Sequence, residues 1–282
     1  MQNMQVASAN LTALENKYDL KFYHLDLNIE RTNKYVSGNV RTLATVKTLT
    51  LDTFGFELHT NHTIDSVILN GINRPVTRSG NDVTVTFSTP LSQNALIDAT
   101  IYYRGTCPSG GFGAIGDGYN NGTSGLWGNK ASWSLSEPYV AHEWFPCKQQ
   151  LQDKLDSSWV FATTDSTNKV GANGMLSNVV TVGNKKRYEW KNNKPIDYYL
   201  ISVACAQYVE YNIYAHPANY SDSILIQNYI YNNPSTLPYF KSVIDSSVQL
   251  IELQSALFGL YPWASQKYGH CMAPMSGGME HQ

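Results

Sequence analysis

Between about residue 20 and residue 105, apolar and polar residues alternate in short runs, at 22–29 (FYHLDLNI), 67–69, 83–87 and 101–103. A two-residue period turns one side of each run toward a core and the other toward water, so these runs predict half-buried strands. Asn70-Gly71 and Ser79-Gly80-Asn81-Asp82 separate them with residues that tolerate tight-turn dihedrals. Strand-like runs resume at 159–163, 179–182, 188–190 and 198–204, which carries the β region to about residue 208. Between the two blocks, residues 104–130 hold many glycines and predict a long loop tied down by Phe112, Tyr119 and Trp127. No Gly-Lys-Ser/Thr follows those glycines, so a phosphate-cradling loop is rejected.

The period changes near the end. After β-like passages at 211–215 and 224–226, Leu237, Phe240, Val243, Ile244, Val248, Ile251, Leu257 and Phe258 follow a 3.6-residue spacing. They predict a helix that starts near Asn233-Pro234-Ser235-Thr236 and is stopped by Gly259 and Pro262. A short extended run at 271–275 leads into Gly277-Gly278. The pattern predicts a β-rich domain over residues 1–208 and the beginning of a partly helical domain over 209–282.

Composition narrows the classes. Hydrophobic residues are 42% of the 282 and charged residues 15%, which predicts a sizeable buried core and not a disordered chain. A net charge of -2 argues against nucleic acid as a partner, and the densest basic run, Lys185-Lys186-Arg187, reads as a solvated turn or strand end. No apolar stretch approaches the roughly 20 residues that span a bilayer, and the N-terminus lacks a basic opening and a hydrophobic middle. Low charge with abundant Asn, Ser and Thr fits a soluble protein in a secreted or cell-envelope setting. Cys107, Cys147, Cys205 and Cys271 include no Cys-x-x-Cys pair, so finger and thioredoxin readings fail. One disulfide using Cys107 stays open, with buried thiols expected for the rest.

Two clusters carry candidate chemistry. In Ser136-Glu137-Pro138-Tyr139-Val140-Ala141-His142-Glu143-Trp144-Phe145-Pro146-Cys147, two prolines restrict the backbone around an acid that precedes a segment of burying aromatics. In Ser276-Gly277-Gly278-Met279-Glu280-His281-Gln282, paired glycines let a ligand approach the backbone beside a carboxylate. Local pattern leaves blander readings open for both: a loop anchored by aromatics with solvated acids, and a glycine turn followed by an exposed Glu. His24, His59, His62, His142, His216 and His270 form no His-Glu-x-x-His pattern, and His59 with His62 reads as a turn or surface pair.

Taken in order, these segments resemble the front part of the M1 zinc aminopeptidases, the gluzincin group that includes aminopeptidase N and leukotriene A4 hydrolase. Gly277-Gly278-Met279-Glu280-His281 resembles the family's Gly-Ala/Gly-Met-Glu-Asn motif, and Phe258-Gly259-x-Tyr261-Pro262-x5-Tyr268-Gly269 precedes it in the matching order. Trp144-Phe145-Pro146-Cys147 resembles the Phe-Pro-Cys segment, although Lys148-Gln149-Gln150 replaces the usual Asp-Glu-Pro, and Ser177-Asn178 resembles a further landmark. The resemblance implies a saddle-shaped β-sheet domain followed by the incomplete start of a thermolysin-like α+β catalytic domain.

It also implies roles. Glu280 matches the glutamate that binds a peptide's free α-amine, Glu137 matches the Gln or Glu that the β domain adds to that site, and Gly277, Gly278 and Met279 lie beside the extended peptide. Two carboxylates suit an ammonium group, because its charge relieves their mutual repulsion. His281 departs from the family's Asn, with different reach and protonation; as a metal ligand beside Glu280 it is rejected, since neighbours on a strand point oppositely. Zinc would be held downstream of residue 282 in the parent, so no catalytic or metal residue is expected in this chain, which is expected to be inactive alone. The expected partners are a peptide with a free N-terminus and the remainder of the catalytic domain. A noncatalytic peptide-binding scaffold and a carbohydrate-binding β-sandwich are the alternatives.

Overall fold

A computed structural model describes residues 7–110 and 117–282. The alternating stretch forms β1 (Tyr18–Asn28), β2 (Tyr35–Val46), β3 (Thr50–Glu57), β4 (His62–Leu69), β5 (Ile72–Arg74), β6 (Thr77–Ser79), β7 (Asp82–Ser92) and β8 (Leu96–Thr106). In β1 the buried residues are Tyr18, Leu20, Tyr23, Leu25 and Leu27; the switch from even to odd numbers falls at a bulge between Leu20 and Phe22 in the pairing with β2. Asn70-Gly71 turns β4 into β5, with positive φ at both residues.

The glycine-rich stretch differs from the expected continuous loop. It contains β9 (Tyr119–Thr123), which pairs antiparallel with β10 (Lys130–Ser134). Tyr119 is fully buried and stacks on Trp144, while Trp127 meets Tyr239 and Phe240; Phe112 lies outside the described residues. The strands that follow are β11 (Ser157–Asp165), β12 (Lys169–Ala172), β13 (Met175–Val182), β14 (Lys185–Asn192) and β15 (Val203–Ala206). The expected strand over 198–204 starts late, because Leu200 N–H bonds the Asp197 carbonyl and makes Tyr198–Leu200 a 3-10 turn.

Next come β16 (Tyr208–Ala215) and β17 (Ile224–Tyr231), then an α-helix over Thr236–Phe258 and β18 (Lys267–Cys271). The final strand sits earlier than the expected extended run at 271–275. A shorter helix at the start, Ala9–Glu15, escaped the sequence reading because seven residues hold too few turns to show a period; we call it α1 and the later one α2. Ser8 caps α1 by accepting from Leu11 N–H, and the helix lays Leu11 and Leu14 over Gly55 of β3.

An eight-stranded sheet runs in the order β13-β14-β11-β1-β2-β8-β4-β5, with β1 and β11 parallel. A three-stranded sheet, β3-β7-β6, and a four-stranded sheet, β12-β15-β10-β9, accompany it, and buried side chains from all three form one continuous core. The last sheet, β16-β17-β18, pairs β17 with β18 in parallel and packs under α2 around a separate cluster of Ala215, Ile224, Ile226, Ile251 and Ala264. The architecture is mostly β with few helices, as the sequence pattern predicts. Among the described residues no helix is long and apolar enough to cross a membrane.

Candidate functional site

Glu137 stands in a turn that leaves the end of β10. Its φ of 24° and that of Tyr139, 80°, are left-handed values that non-glycine residues rarely adopt, and Pro138 between them is locked near its own φ. Neighbours hold this strained turn in place. Buried Ser136 accepts from Trp144 Nε1 at 2.7 Å, Val140 N–H bonds the Glu137 carbonyl at 3.3 Å, and Tyr139 N–H donates to the Tyr198 hydroxyl at 3.2 Å. Trp144, Phe145 and Cys147 behind it are all buried.

The other acidic and imidazole side chains of this cluster are buried behind the turn. Glu143 accepts from Gly118 N–H at 2.7 Å, and burial raises its pKa against that bond. His142 is buried beside Asn81 and Gln149, and desolvation lowers its pKa to about 4. His59 and His62 are the turn pair expected, but His62 is buried, not a surface residue: its Nε2 lies 2.7 Å from the Glu143 carbonyl, and burial brings its pKa down to about 4. Lys148, Gln149 and Gln150 have work of their own. Lys148 Nζ pairs with Asp153, Gln149 donates to Glu57, and Gln150 donates to the Thr12 carbonyl of α1.

Beside the end of β10 opens a cavity of about 950 Å³ between the four-stranded sheet and the β16-β17-β18 layer with α2. Trp133, Ser134 and Leu135 line one side, and Gly277, Gly278, Met279, His281 and Gln282 line another. Gly277 has φ 90°, a value that calls for glycine, whereas nothing lies within 4 Å of where a Cβ would stand on Gly277 or Gly278. The segment is tied at both ends: Met272 N–H bonds the Tyr229 carbonyl, and the Gln282 carbonyl accepts from Asn173 at 2.6 Å. Asn173 also accepts from Ser202 N–H, and Val203 N–H donates to the Ser134 hydroxyl. A chain of bonds thus joins Gln282 to the strand that delivers Glu137. The structure brings Gly277, Gly278 and Met279 into the cavity wall; half-buried Glu137 and exposed Glu280 stand outside its lining.

Sequence reading missed two residues. Asn173, in an Asn-Gly pair after β12, showed only a turn signal, and Lys267 showed none. Lys267 Nζ donates to the Ala172 carbonyl at 2.8 Å inside the cavity. Among the described residues no three His, Cys, Asp or Glu side chains are grouped to hold a metal. His270 is engaged by Asn228 at 2.6 Å, and half-buried His281 has its pKa lowered by desolvation. The four cysteines are free thiols, three of them buried and Cys271 exposed. The described residues therefore do not fit a zinc site, and no hydrolytic step is assigned to them.

No protein-family profile and no curated protein matches the chain in sequence. Solved structures do match it in shape. An M1 zinc metallopeptidase from Deinococcus radiodurans superposes with a TM-score of 0.78 at 18% identity, over 93% of this chain and 57% of that one. The chain has the M1 zinc metallopeptidase fold. A variant of the Deinococcus enzyme bound to a Tyr-Ser-Ala substrate gives 0.78 at 19% identity, over 93% of this chain and 58% of that one. Native yeast LTA4 hydrolase gives 0.67 at 16% identity, over 91% of this chain and 38% of that one. The M1 likeness is one of fold, and this chain spans less than two thirds of those M1 proteins' length.

Proposed function

We propose that these residues are the substrate-gripping front portion of a zinc-dependent aminopeptidase, with residues 1–208 as the β domain and 209–282 as the first part of the catalytic domain. The observation that carries this reading is the M1 fold over 93% of the chain, together with Glu137 and the Gly277–Glu280 segment in that family's order. Glu137 and Glu280 would take the α-ammonium of a peptide, and the exposed backbone at Gly277 and Gly278 would run beside the peptide. A peptide segment without a free amine leaves two carboxylates unneutralised, which confines binding to chain ends. Zinc, held by residues after 282, would activate water and polarise the scissile carbonyl. This chain supplies recognition, and alone it is inactive.

Two measurements test the proposal. In the longer protein, Glu137→Gln and Glu280→Gln should each lower kcat/KM for a peptide with a free amine by about tenfold or more, the scale of a lost charge-assisted bond. Unchanged kcat/KM in both variants overturns amine recognition. Release of an N-terminal amino acid by the 282-residue chain with added zinc overturns its inactivity.

A peptide-binding scaffold without catalysis would use the same recognition residues. A longer protein that prefers free-amine peptides yet never cleaves them would select it.

A further inference from the structure

The cavity holds a cation that amine recognition does not use. Lys267 sits on β18 in register with Leu225 of β17, and its two close contacts are neutral: the Ala172 carbonyl at 2.8 Å and the face of Trp190, 4.7 Å from the ring centroid. Among the described residues no Asp, Glu or Arg lines the cavity, so this ammonium meets no side-chain counter-charge there. Of its three protons the Ala172 carbonyl takes one, which leaves two for a ligand. A cation in such surroundings is costly by itself and gains when an anion arrives.

A second observation points to the same space. Gln227 and Tyr231, 6% and 1% exposed, line the cavity with Gln227 Oε1 and the Tyr231 hydroxyl lacking any hydrogen-bond partner, and Trp133 Nε1 lacks one too. Buried polar atoms are rarely left unpaired without a reason. Two of these three groups can donate. The remaining wall is strongly aromatic, with Trp127, Trp190, Phe240 and Trp263.

We propose that this cavity binds a carboxylate carried on an aromatic or aliphatic body, with the carboxylate on Lys267 and the body against the tryptophans. The proposal stands apart from amine recognition. Peptide C-termini and simple organic acids share this chemistry.

Three probes without an amine test it by titration against the 282-residue chain: N-acetyl-phenylalanine, 3-phenylpropanoate and N-acetyl-phenylalaninamide. At least one acid should bind about tenfold or more tightly than the amide, the scale of one charge-assisted hydrogen bond. Binding of N-acetyl-phenylalanine alone identifies a peptide C-terminus, and binding of 3-phenylpropanoate a simple acid. Lys267→Met should abolish the preference and Lys267→Arg keep it.

The unmodified protein provides a check that needs no folded variant. Burial lowers Lys267 to about 8, with Cys271 opposing, so the preference should fade between pH 7 and 9 as the ammonium is lost. Cys271 is exposed as a residue, but its Sγ packs against Gly171 and desolvation raises it to about 11; desolvation likewise keeps Tyr261 (about 12), Tyr229 and Tyr231 protonated over that range and lowers His270 and His281 so that neither gains charge there. An amide that binds as tightly as both acids, no binding of either acid at about 10 mM, or a preference that survives Lys267→Met or pH 9 overturns the proposal. Because no probe carries an amine, these outcomes leave Glu137 and Glu280 untested.

Discussion

The side-chain amide of Asn173 donates to the Gln282 carbonyl at 2.6 Å while its Oδ1 accepts from Ser202 N–H at 2.7 Å. One residue therefore fastens the glycine segment to the sheet that carries Glu137. Asn173→Ala should cost about 1–3 kcal/mol, since it leaves the Ser202 donor without its partner. Asn173→Asp keeps that acceptor but loses the donor to both the Gln282 and Leu200 carbonyls and turns a buried carboxylate oxygen toward them, so it should cost at least as much as Asn173→Ala. Hydrogen exchange over residues 276–282 should rise in both variants, and unchanged exchange in both would remove Asn173 as the fastening.

Lys148 Nζ pairs with Asp153 and donates to the Tyr18 carbonyl at 2.9 Å, with its side chain 1% exposed. Burial lowers the Lys148 pKa and raises that of Asp153, each opposed by the attraction of the other. Removing one partner strands a buried charge, so Lys148→Met should lose about 3–5 kcal/mol in urea unfolding. The double variant Lys148→Met/Asp153→Leu should recover part of that loss. A loss in the double variant equal to the sum of the Lys148→Met and Asp153→Leu losses would show that the pair is not coupled.

Lys148 also marks where the sequence stopped being legible. Alternation located most strands because their inward residues share one hydrophobic face, and the bulge after Leu20 only shifts that face by one. The order of the glycine motif, the Phe-Pro-Cys segment and Glu137 pointed to the M1 fold. By contrast, Lys148 departs from the family pattern, and its partners lie far along the chain except for Asp153. β9 was hidden because Tyr119, Asn120, Asn121 and Gly122 carry no apolar period; pairing with β10 makes it a strand. Lys267 belongs to no motif, and its setting exists only once β12, β14 and β18 meet.

Gly118 supports the Glu137 turn from below. A Cβ there would stand 2.2 Å from the Val140 carbonyl and 3.0 Å from Glu143 Cβ, while Gly118 N–H donates to Glu143. Backbone cannot yield as a side-chain tip does, so Gly118→Ala must push the 137–140 turn aside. The expected cost is about 1–3 kcal/mol in thermal or urea unfolding. A variant as stable as the parent would mean that the turn has room to move.

Glu57 sets a pH dependence that opposes the one set by the histidines. Its side chain is buried against Gln149, with Asp82 and Glu15 as acidic neighbours, and desolvation pushes its pKa up to about 7. An unfolded chain releases that proton near 4.5, so between pH 4.5 and 7 the folded state binds more protons and stability falls as pH rises. The contribution is fully present below 4.5 and gone above 7. For His62 and His142 the folded pKa is about 4 against 6.5, so their contribution is present above 6.5 and is lost as pH falls toward 4. In the parent the two trends offset each other. Glu57→Gln keeps an acceptor for Gln149 and removes the acidic trend, so its stability should rise more steeply from pH 4.5 to 6.5, by about 2–3 kcal/mol relative to the parent over the full window. Urea unfolding at a series of pH values measures the difference, and identical slopes would mean that Glu57 ionises in the fold as it does in the unfolded chain.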